Sequence, residues 1–412
     1  MALGHAQAKA LGFPDLPIAV VPHPFGSLSR EKIQDIAEQC ADDIARLLCE
    51  LVPCPSPKPT TASGTPGRAA LIEVPDKPED FYSFLQKKRW GDGLPLVPPT
   101  SERVALMLTH TRRDAGEVIA TVAPAYGAAT IEGIAINAVL AGCRPEYLPV
   151  LIAATQAMAD PAFDLQNIQS STNTAAVWLV INGPIARQLN INSGGNCLGP
   201  GDWANATLGR AVRLIMQNIG GGLPREMDLA THGQPGKFTF CCAESEEDNP
   251  WEPLHVERGY ARERSTVTVV GALGTWSMNI TVKDGSDLLT MIADTMPYTG
   301  SSDYVFGGSP WILLGPEHAQ ILKRDGYSKD DVKQQLWEQS KLRASRVKGN
   351  DFERMRNGRR GELGEIGADT MVPISRGPKD INIIVAGGPG THSMYVPVSG
   401  NSRSITRAVD LQ

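Results

Sequence analysis

The residues best suited to chemistry fall in three stretches of the 412-residue chain. One is the acidic segment Glu244-Ser245-Glu246-Glu247-Asp248-Asn249-Pro250-Trp251-Glu252-Pro253-Leu254-His255. It follows the apparent strand Phe238-Thr239-Phe240, and strand ends are where α/β proteins place their working groups. Glu244 and His255 are therefore acid/base candidates, a solvated loop being the alternative. A second stretch, Asn192-Ser193-Gly194-Gly195-Asn196-Cys197, precedes a helical pattern through Ala204, Ala206, Leu208, Val212 and Ile215. Glycines ahead of a helix supply free N–H groups and a favourable dipole for an anion, with Ser193 and Asn196 as further ligand-binding candidates. Cys197, near that positive end, is a nucleophile candidate with its thiolate favoured, or else a small residue filling a loop. The stretch matches neither a Walker loop nor a dinucleotide fingerprint.

The third stretch is duplicated. Gly387-Gly388-Pro389-Gly390-Thr391-His392-Ser393-Met394 follows the β-branched run Ile381–Ile384, and Gly271-Ala272-Leu273-Gly274-Thr275-Trp276-Ser277-Met278 follows another. Both read strand–GxxGTxSM. Gly271, Gly274, Thr275, Gly387, Gly390 and Thr391 are expected to hold an anion through N–H and hydroxyl donors, with His392 moving a proton. Each copy is preceded by a Trp-strand-Gly-Pro unit, Trp178–Pro184 and Trp311–Pro316. The shared order predicts two related α/β halves, about 175–300 and 301–412, with both glycine loops facing one cleft. Two ordinary strand–turn–helix joints are the alternative.

The elements that must position these groups start with a partial α/β unit over residues 1–52. It comprises a helix end at Ala6–Leu11, a buried strand at Pro17–Val21, a turn at Pro22–Gly26, and a long helix capped by Ser29. Ile33, Ile36, Cys40, Ile44, Leu47 and Leu48 make an apolar stripe on that helix. A lone βα unit cannot bury both faces of its strand, so it must dock on the main domain or complete a sheet from another chain. Residues 53–68 are a proline-rich linker, and 69–412 form a large α/β domain. Within it we expect helices from Pro78, from Thr100 or Ser101, and over Thr130–Leu140 and Glu146–Ala159. Strands are expected at Glu117–Val122 and Ala175–Ile181. The polar run Gln166–Thr174 is a loop or a ligand lining. Cys241 and Cys242 face opposite sides of a strand. The basic run Lys341–Arg360 is an exposed insertion or an assembly surface, without the interleaved aromatics of single-strand binding.

Composition is that of a soluble globular chain, 42% hydrophobic and 20% charged with net charge −6, which argues against nucleic acid as the partner. No apolar run reaches membrane-span length and no signal-peptide pattern opens the chain, so a cytoplasmic location is the default. The seven cysteines include no CxxC, and the seven histidines form no HxH or HExxH. No metal is signalled by these spacings and no cofactor is indicated.

Trp90–Thr100, Glu244–Gly259, Pro316–Val332 and Gly387–Ser393 resemble the UGSC-like family, which includes selenoproteins and is named for a Sec-Gly-Ser-Cys motif or its Cys form. The resemblance runs through almost the whole chain. In that family the motif lies in an N-terminal α/β domain, upstream of a segment resembling Ala8–Phe25, whereas this chain contains no Cys-Gly-Ser-Cys. The resemblance thus implies a partner chain that supplies the missing half-domain and its thiol or selenol; a truncated gene model or a degenerate paralogue would account for the same absence. The expected function is a subunit of a cytosolic enzyme, oxidoreductase or lyase, acting on a small anionic metabolite within a hetero-oligomer. A self-sufficient acid/base lyase or isomerase, or a non-catalytic scaffold, are the alternatives.

Overall fold

The computed structural model describes residues 2–10, 12–21, 28–49 and 68–410. The expected linker (Arg68 aside) and the Pro22–Gly26 turn lie outside them. Twelve strands are described: β1 (Val118–Val122), β2 (Gly127–Thr130), β3 (Ala176–Asn182), β4 (Cys241–Ala243), β5 (Thr266–Ala272), β6 (Trp276–Asn279), β7 (Trp311–Leu314), β8 (Lys341–Arg343), β9 (Met371–Pro373), β10 (Asn382–Val385), β11 (His392–Val396) and β12 (Ile405–Ala408). They form two four-stranded sheets, β12-β5-β3-β4 and β10-β7-β11-β6, and two antiparallel pairs, β1-β2 and β8-β9. The fold is α/β with mixed sheets.

Alternation along the strands places the two large sheets face to face. In β3, Leu179 and Ile181 join an outer core with the helices Ile131–Ala141, Leu148–Met158 and Trp203–Asn218. Trp178 and Val180 point the other way and meet Trp311, Leu313, Ile384 and Val396 of the second sheet. The second sheet's far face, with Ile312, Leu314, Ile383 and Tyr395, packs on the helices Gly285–Thr295, Pro316–Arg324 and Lys329–Gln339. The result is four layers, helix–sheet–sheet–helix. Trp178 and Trp311 meet edge to face across the middle, with ring centroids 5.3 Å apart, a favoured arrangement for enclosed aromatics. Cys241 and Cys242 take opposite faces, the first in the outer core and the second between the sheets.

The sheets share one connectivity. β3 has a parallel neighbour, β4, and an antiparallel one, β5; β7 likewise has β10 parallel and β11 antiparallel. The fourth strands are exchanged. β6, which follows β5, pairs with β11, while β12, which follows β11, pairs with β5. Sheet membership therefore does not follow a division near residue 300. Where the chains cross, Ala272 bridges Val398 and the Leu273 N–H donates to the Pro397 carbonyl at 2.8 Å.

Local signals account for the helix starts. Pro78 opens Pro78–Lys88, and the Thr100 side chain accepts the Arg103 N–H ahead of Ser101–Leu108. Gln166–Thr174 begins as a short helix, Leu165–Ser170, rather than a loop throughout. The strand read at Phe238–Phe240 is Cys241–Ala243 instead. The N-terminal unit departs most. Helices Ala2–Ala10 and Arg30–Cys49 are present, yet Pro17–Val21 forms no strand, and Val20 and Val21 are exposed. The basic run is not a free cationic surface: Arg343, Arg354, Arg356 and Arg360 each pair with an acid, and Arg359 is fully enclosed. Arg359 donates to the Tyr304, Pro373 and Ser375 carbonyls.

Candidate functional site

The carboxyl ends of β3, β4 and β10 come together at one end of the sandwich. β4 runs parallel to β3, so Asn182 and Glu244 leave the sheet side by side. Both are buried. The Glu244 carboxylate accepts the Asn182 amide at 2.6 Å, the Asn249 amide at 2.8 Å and the Leu254 N–H at 2.8 Å. Burial raises its pKa, against the opposing charge of Lys329. With three donors fixed on it, Glu244 anchors the 244–254 loop to β3 and starts the short helix Leu254–Glu257.

That helix carries His255 into the interior, where it is fully enclosed. Its Nε2 lies 3.2 Å from the Arg262 carbonyl. A carbonyl only accepts, so Nε2 carries the hydrogen. Nδ1 has no hydrogen-bond partner and sits 3.6 Å from Glu246 Oε1. Glu246 Oε1 in turn accepts the Gly183 N–H at 2.6 Å and the Asn182 amide at 3.2 Å. Gly183 must be glycine here. Its φ is +83°, and a Cβ would stand 2.6 Å from the Arg264 carbonyl oxygen. Glu246 is half-buried and borders a cavity of about 330 Å³, which Gly183, Arg187, Ser193, Glu244, Glu247 and Arg262 also line. Arg187 and Glu247 pair at 2.8 Å on its rim.

The arrangement is that of an acid/base pair. An imidazole lone pair facing a carboxylate is repulsive unless a proton lies on one of them or a donor enters from the cavity. Of the two, Glu246 reaches the cavity and His255 stands enclosed behind it.

Of the residues singled out in the sequence, Glu244, His255 and Ser193 belong to this end; the others divide. The Gly387 N–H donates to the Ser193 carbonyl at 2.8 Å, and Gly388 lies against Gly195 so closely that a Cβ would come 2.8 Å from its Cα. Two glycine-rich loops thus meet here, but the pair is 192–202 with 387–391. Gly271, Gly274 and Thr275 lie beyond the opposite end of the sheets, because β5 runs antiparallel to β3 and Ala272 pairs with Ala176. The expected convergence of the two GxxGTxSM loops on one cleft is therefore corrected. Gly271 itself is a strand residue whose missing side chain makes room for Ile168.

The 192–202 loop is closed on itself. The Gly194 N–H donates to Asn192 Oδ1 and the Cys197 N–H to the Gly194 carbonyl, while the Asn196 amide donates to the Pro200 carbonyl. Asn196 is engaged in its own turn rather than at the cavity. Cys197 points between the sheets, buried, against Cys242. Its pKa is lowered, first by the Cys242 thiol donating to it and not by the helix, which starts only at Trp203. His392 is exposed at the start of β11 opposite Asn279, and Thr391 accepts from the Thr281 hydroxyl at 3.3 Å; neither lines the cavity. Sequence reasoning missed Glu246, Asn182 and Arg262. The position of Glu246, two residues beyond a strand-end acid, was the available signal. It also missed the enclosed His318, whose Nε2–H donates to the Ile280 carbonyl at 2.9 Å, so that its Nδ1 accepts the Ser393 hydroxyl at 2.7 Å.

Among the described residues no group of three or more His, Cys, Asp or Glu side chains is placed to hold a metal, and no helix is long and apolar enough to cross a membrane. Residues 1–50 match the UGSC family. The match covers the N-terminal unit, and the large domain that carries the cavity lies outside it. No curated protein and no solved structure matches the chain.

Proposed function

We propose that the chain is an enzyme, or an enzyme subunit, that transfers a proton to or from a small charged metabolite held in the cavity that Glu246 borders, as in a lyase or isomerase. The observation that carries this reading is the unpartnered His255 Nδ1 facing Glu246 on the cavity wall, with the other ring nitrogen fixed by the Arg262 carbonyl. Glu246, with one oxygen free at the cavity and an imidazole nitrogen behind the other, is suited to take a proton from a ligand and return it. The test is exchange of substrate C–H for deuterium. A metabolite mixture incubated with the full chain in D2O should show exchange at one carbon, and Glu246→Gln should slow it by roughly a hundred-fold or more with the circular dichroism spectrum unchanged. Exchange at the same rate in Glu246→Gln removes the pair from the chemistry.

A second reading rests on a different observation. The helix Arg30–Cys49 leaves Ile44 and Leu48 exposed, 44% and 64%, and Pro17–Val21 has no paired strand among the described residues. A partner chain that covers these surfaces, and brings the thiol or selenol implied by the family resemblance, accords with them. Native mass spectrometry of the protein from its own source should find a co-purifying chain with Cys-Gly-Ser-Cys or its selenocysteine form; the chain running alone or only with copies of itself removes that reading. A cytoplasmic setting suits both readings, since all six described cysteines are free thiols.

A further inference from the structure

The geometry points to a ligand of one chemical class for this cavity, a small zwitterion bearing an ammonium group and a carboxylate. The inference deepens the proposed function and rests on the cavity being a ligand site. The lining carries three acids, Glu244, Glu246 and Glu247, against two bases, Arg187 and Arg262. Glu247 and Arg187 neutralise each other on the rim. Glu244 is saturated by three donors from the protein. What remains to meet a ligand is one carboxylate, Glu246, and one guanidinium, Arg262, for whose side chain the described residues supply no partner.

On the inner side Glu246 keeps one oxygen without a donor among the described residues. Glu246 Oε1 faces His255 Nδ1, an acceptor whenever the ring is neutral, and Oε2 takes no bond from a described residue. Nδ1 is fully enclosed and unpartnered. A carboxylate against Glu246 would set like charge against like, whereas an ammonium brings N–H donors to Oε2, the carboxylate oxygen that lacks one. The outer side offers the opposite chemistry. Arg262, which lines the same cavity as Glu246, presents a planar fork suited to a carboxylate. The volume, about 330 Å³, is about eleven liquid-water volumes of about 30 Å³ each, room for an amino-acid-sized molecule with water beside it. This revises the purely anionic ligand expected from the glycine loops, because the loop donors are engaged within the protein.

Three molecules of equal length separate the possibilities: 5-aminopentanoate, glutarate and 1,5-diaminopentane. Each is titrated calorimetrically into the full chain and into Glu246→Gln and Arg262→Gln, with circular dichroism confirming the fold of each variant. The zwitterion should bind wild type about ten-fold or more tightly than either relative, lose that margin over glutarate in Glu246→Gln, and lose it over the diamine in Arg262→Gln. Tightest binding by glutarate, weakened by Arg262→Gln and not by Glu246→Gln, overturns the zwitterion while leaving the cavity a ligand site. Tightest binding by the diamine, insensitive to Arg262→Gln, overturns it in the same way. No binding of any of the three in the millimolar range, or equal binding that neither variant changes, removes the cavity as a ligand site and the proposed function with it.

Discussion

At the scale of single residues, the cavity end shows two acids doing different work two positions apart. Glu244 holds the structure and Glu246 faces the cavity, although both leave the same strand. The difference comes from donors: three converge on Glu244, while Glu246 keeps one oxygen free. Replacing Glu244 with Ala should therefore cost about 2–4 kcal/mol in denaturant unfolding, because the Asn182 and Asn249 amides and the Leu254 N–H lose their acceptor. A loss under 0.5 kcal/mol would mean that the loop holds itself. Asp303 contributes a pH-dependent part of the stability. It is fully enclosed, accepts the Tyr395 hydroxyl at 3.1 Å, has an unpartnered Oδ1, and burial lifts its pKa to about 7. Between the unfolded value near 4 and this folded value, the native state holds the extra proton. Stability should thus fall as pH rises from about 4 to about 7, by roughly 4 kcal/mol, and level off above. Asp303→Asn should flatten that slope; chemical denaturation across pH with an unchanged slope in the variant excludes Asp303 as its source.

Among the elements, the decisive contacts cross between sheets. Arg258, just past the short helix that carries His255, donates to Thr406 and Ser404 at β12 of the first sheet and to Asn382 at β10 of the second, with its guanidinium 5.5 Å from the Trp311 ring centroid. Burial lowers its pKa to about 10, still far above neutrality, so the charge persists inside. Arg258→Met should cost roughly 2–4 kcal/mol in denaturant unfolding, taking the donor from Asn382 and Ser404 and leaving Thr406 with Thr268 alone. A cost below 1 kcal/mol would show that the acceptors find other donors. Much at this scale was legible in sequence. Thr100 as a cap, Pro78 as a helix start and the opposed faces of Cys241 and Cys242 follow from local rules, and the structure has them. What local rules missed was pairing. Pro17–Val21 carries strand residues but pairs with no strand among the described residues, and Gly271 and Gly387 share a motif yet sit at opposite sheet ends because β5 is antiparallel and β10 parallel. Direction within a sheet is set by partners distant in sequence, and a short motif holds no record of it. Glu246 escaped notice for the same reason: its histidine lies close in sequence, but the facing of the two depends on how β4 docks beside β3.

For the molecule as a whole, the exchanged fourth strands tie the two sheets into one cooperative unit. Each sheet contains a strand from the far side of the crossing, so neither is complete from a continuous piece of chain. Cutting the backbone in the turn near Gly300 should accordingly leave two fragments that co-elute on gel filtration and part only in denaturant, with one shared unfolding transition. Fragments that separate in native buffer would show that the exchange adds little. The same exchange bears on how the protein is made. The edge of β5 waits for β12, and about 130 residues separate Ala272 from Ile405. At roughly 5–20 residues per second, a ribosome leaves that apolar edge open for on the order of ten seconds. A nascent chain in that interval presents a Val-rich strand to any neighbour on the same message, and its yield in the cell depends on what shields the edge until the last strand arrives.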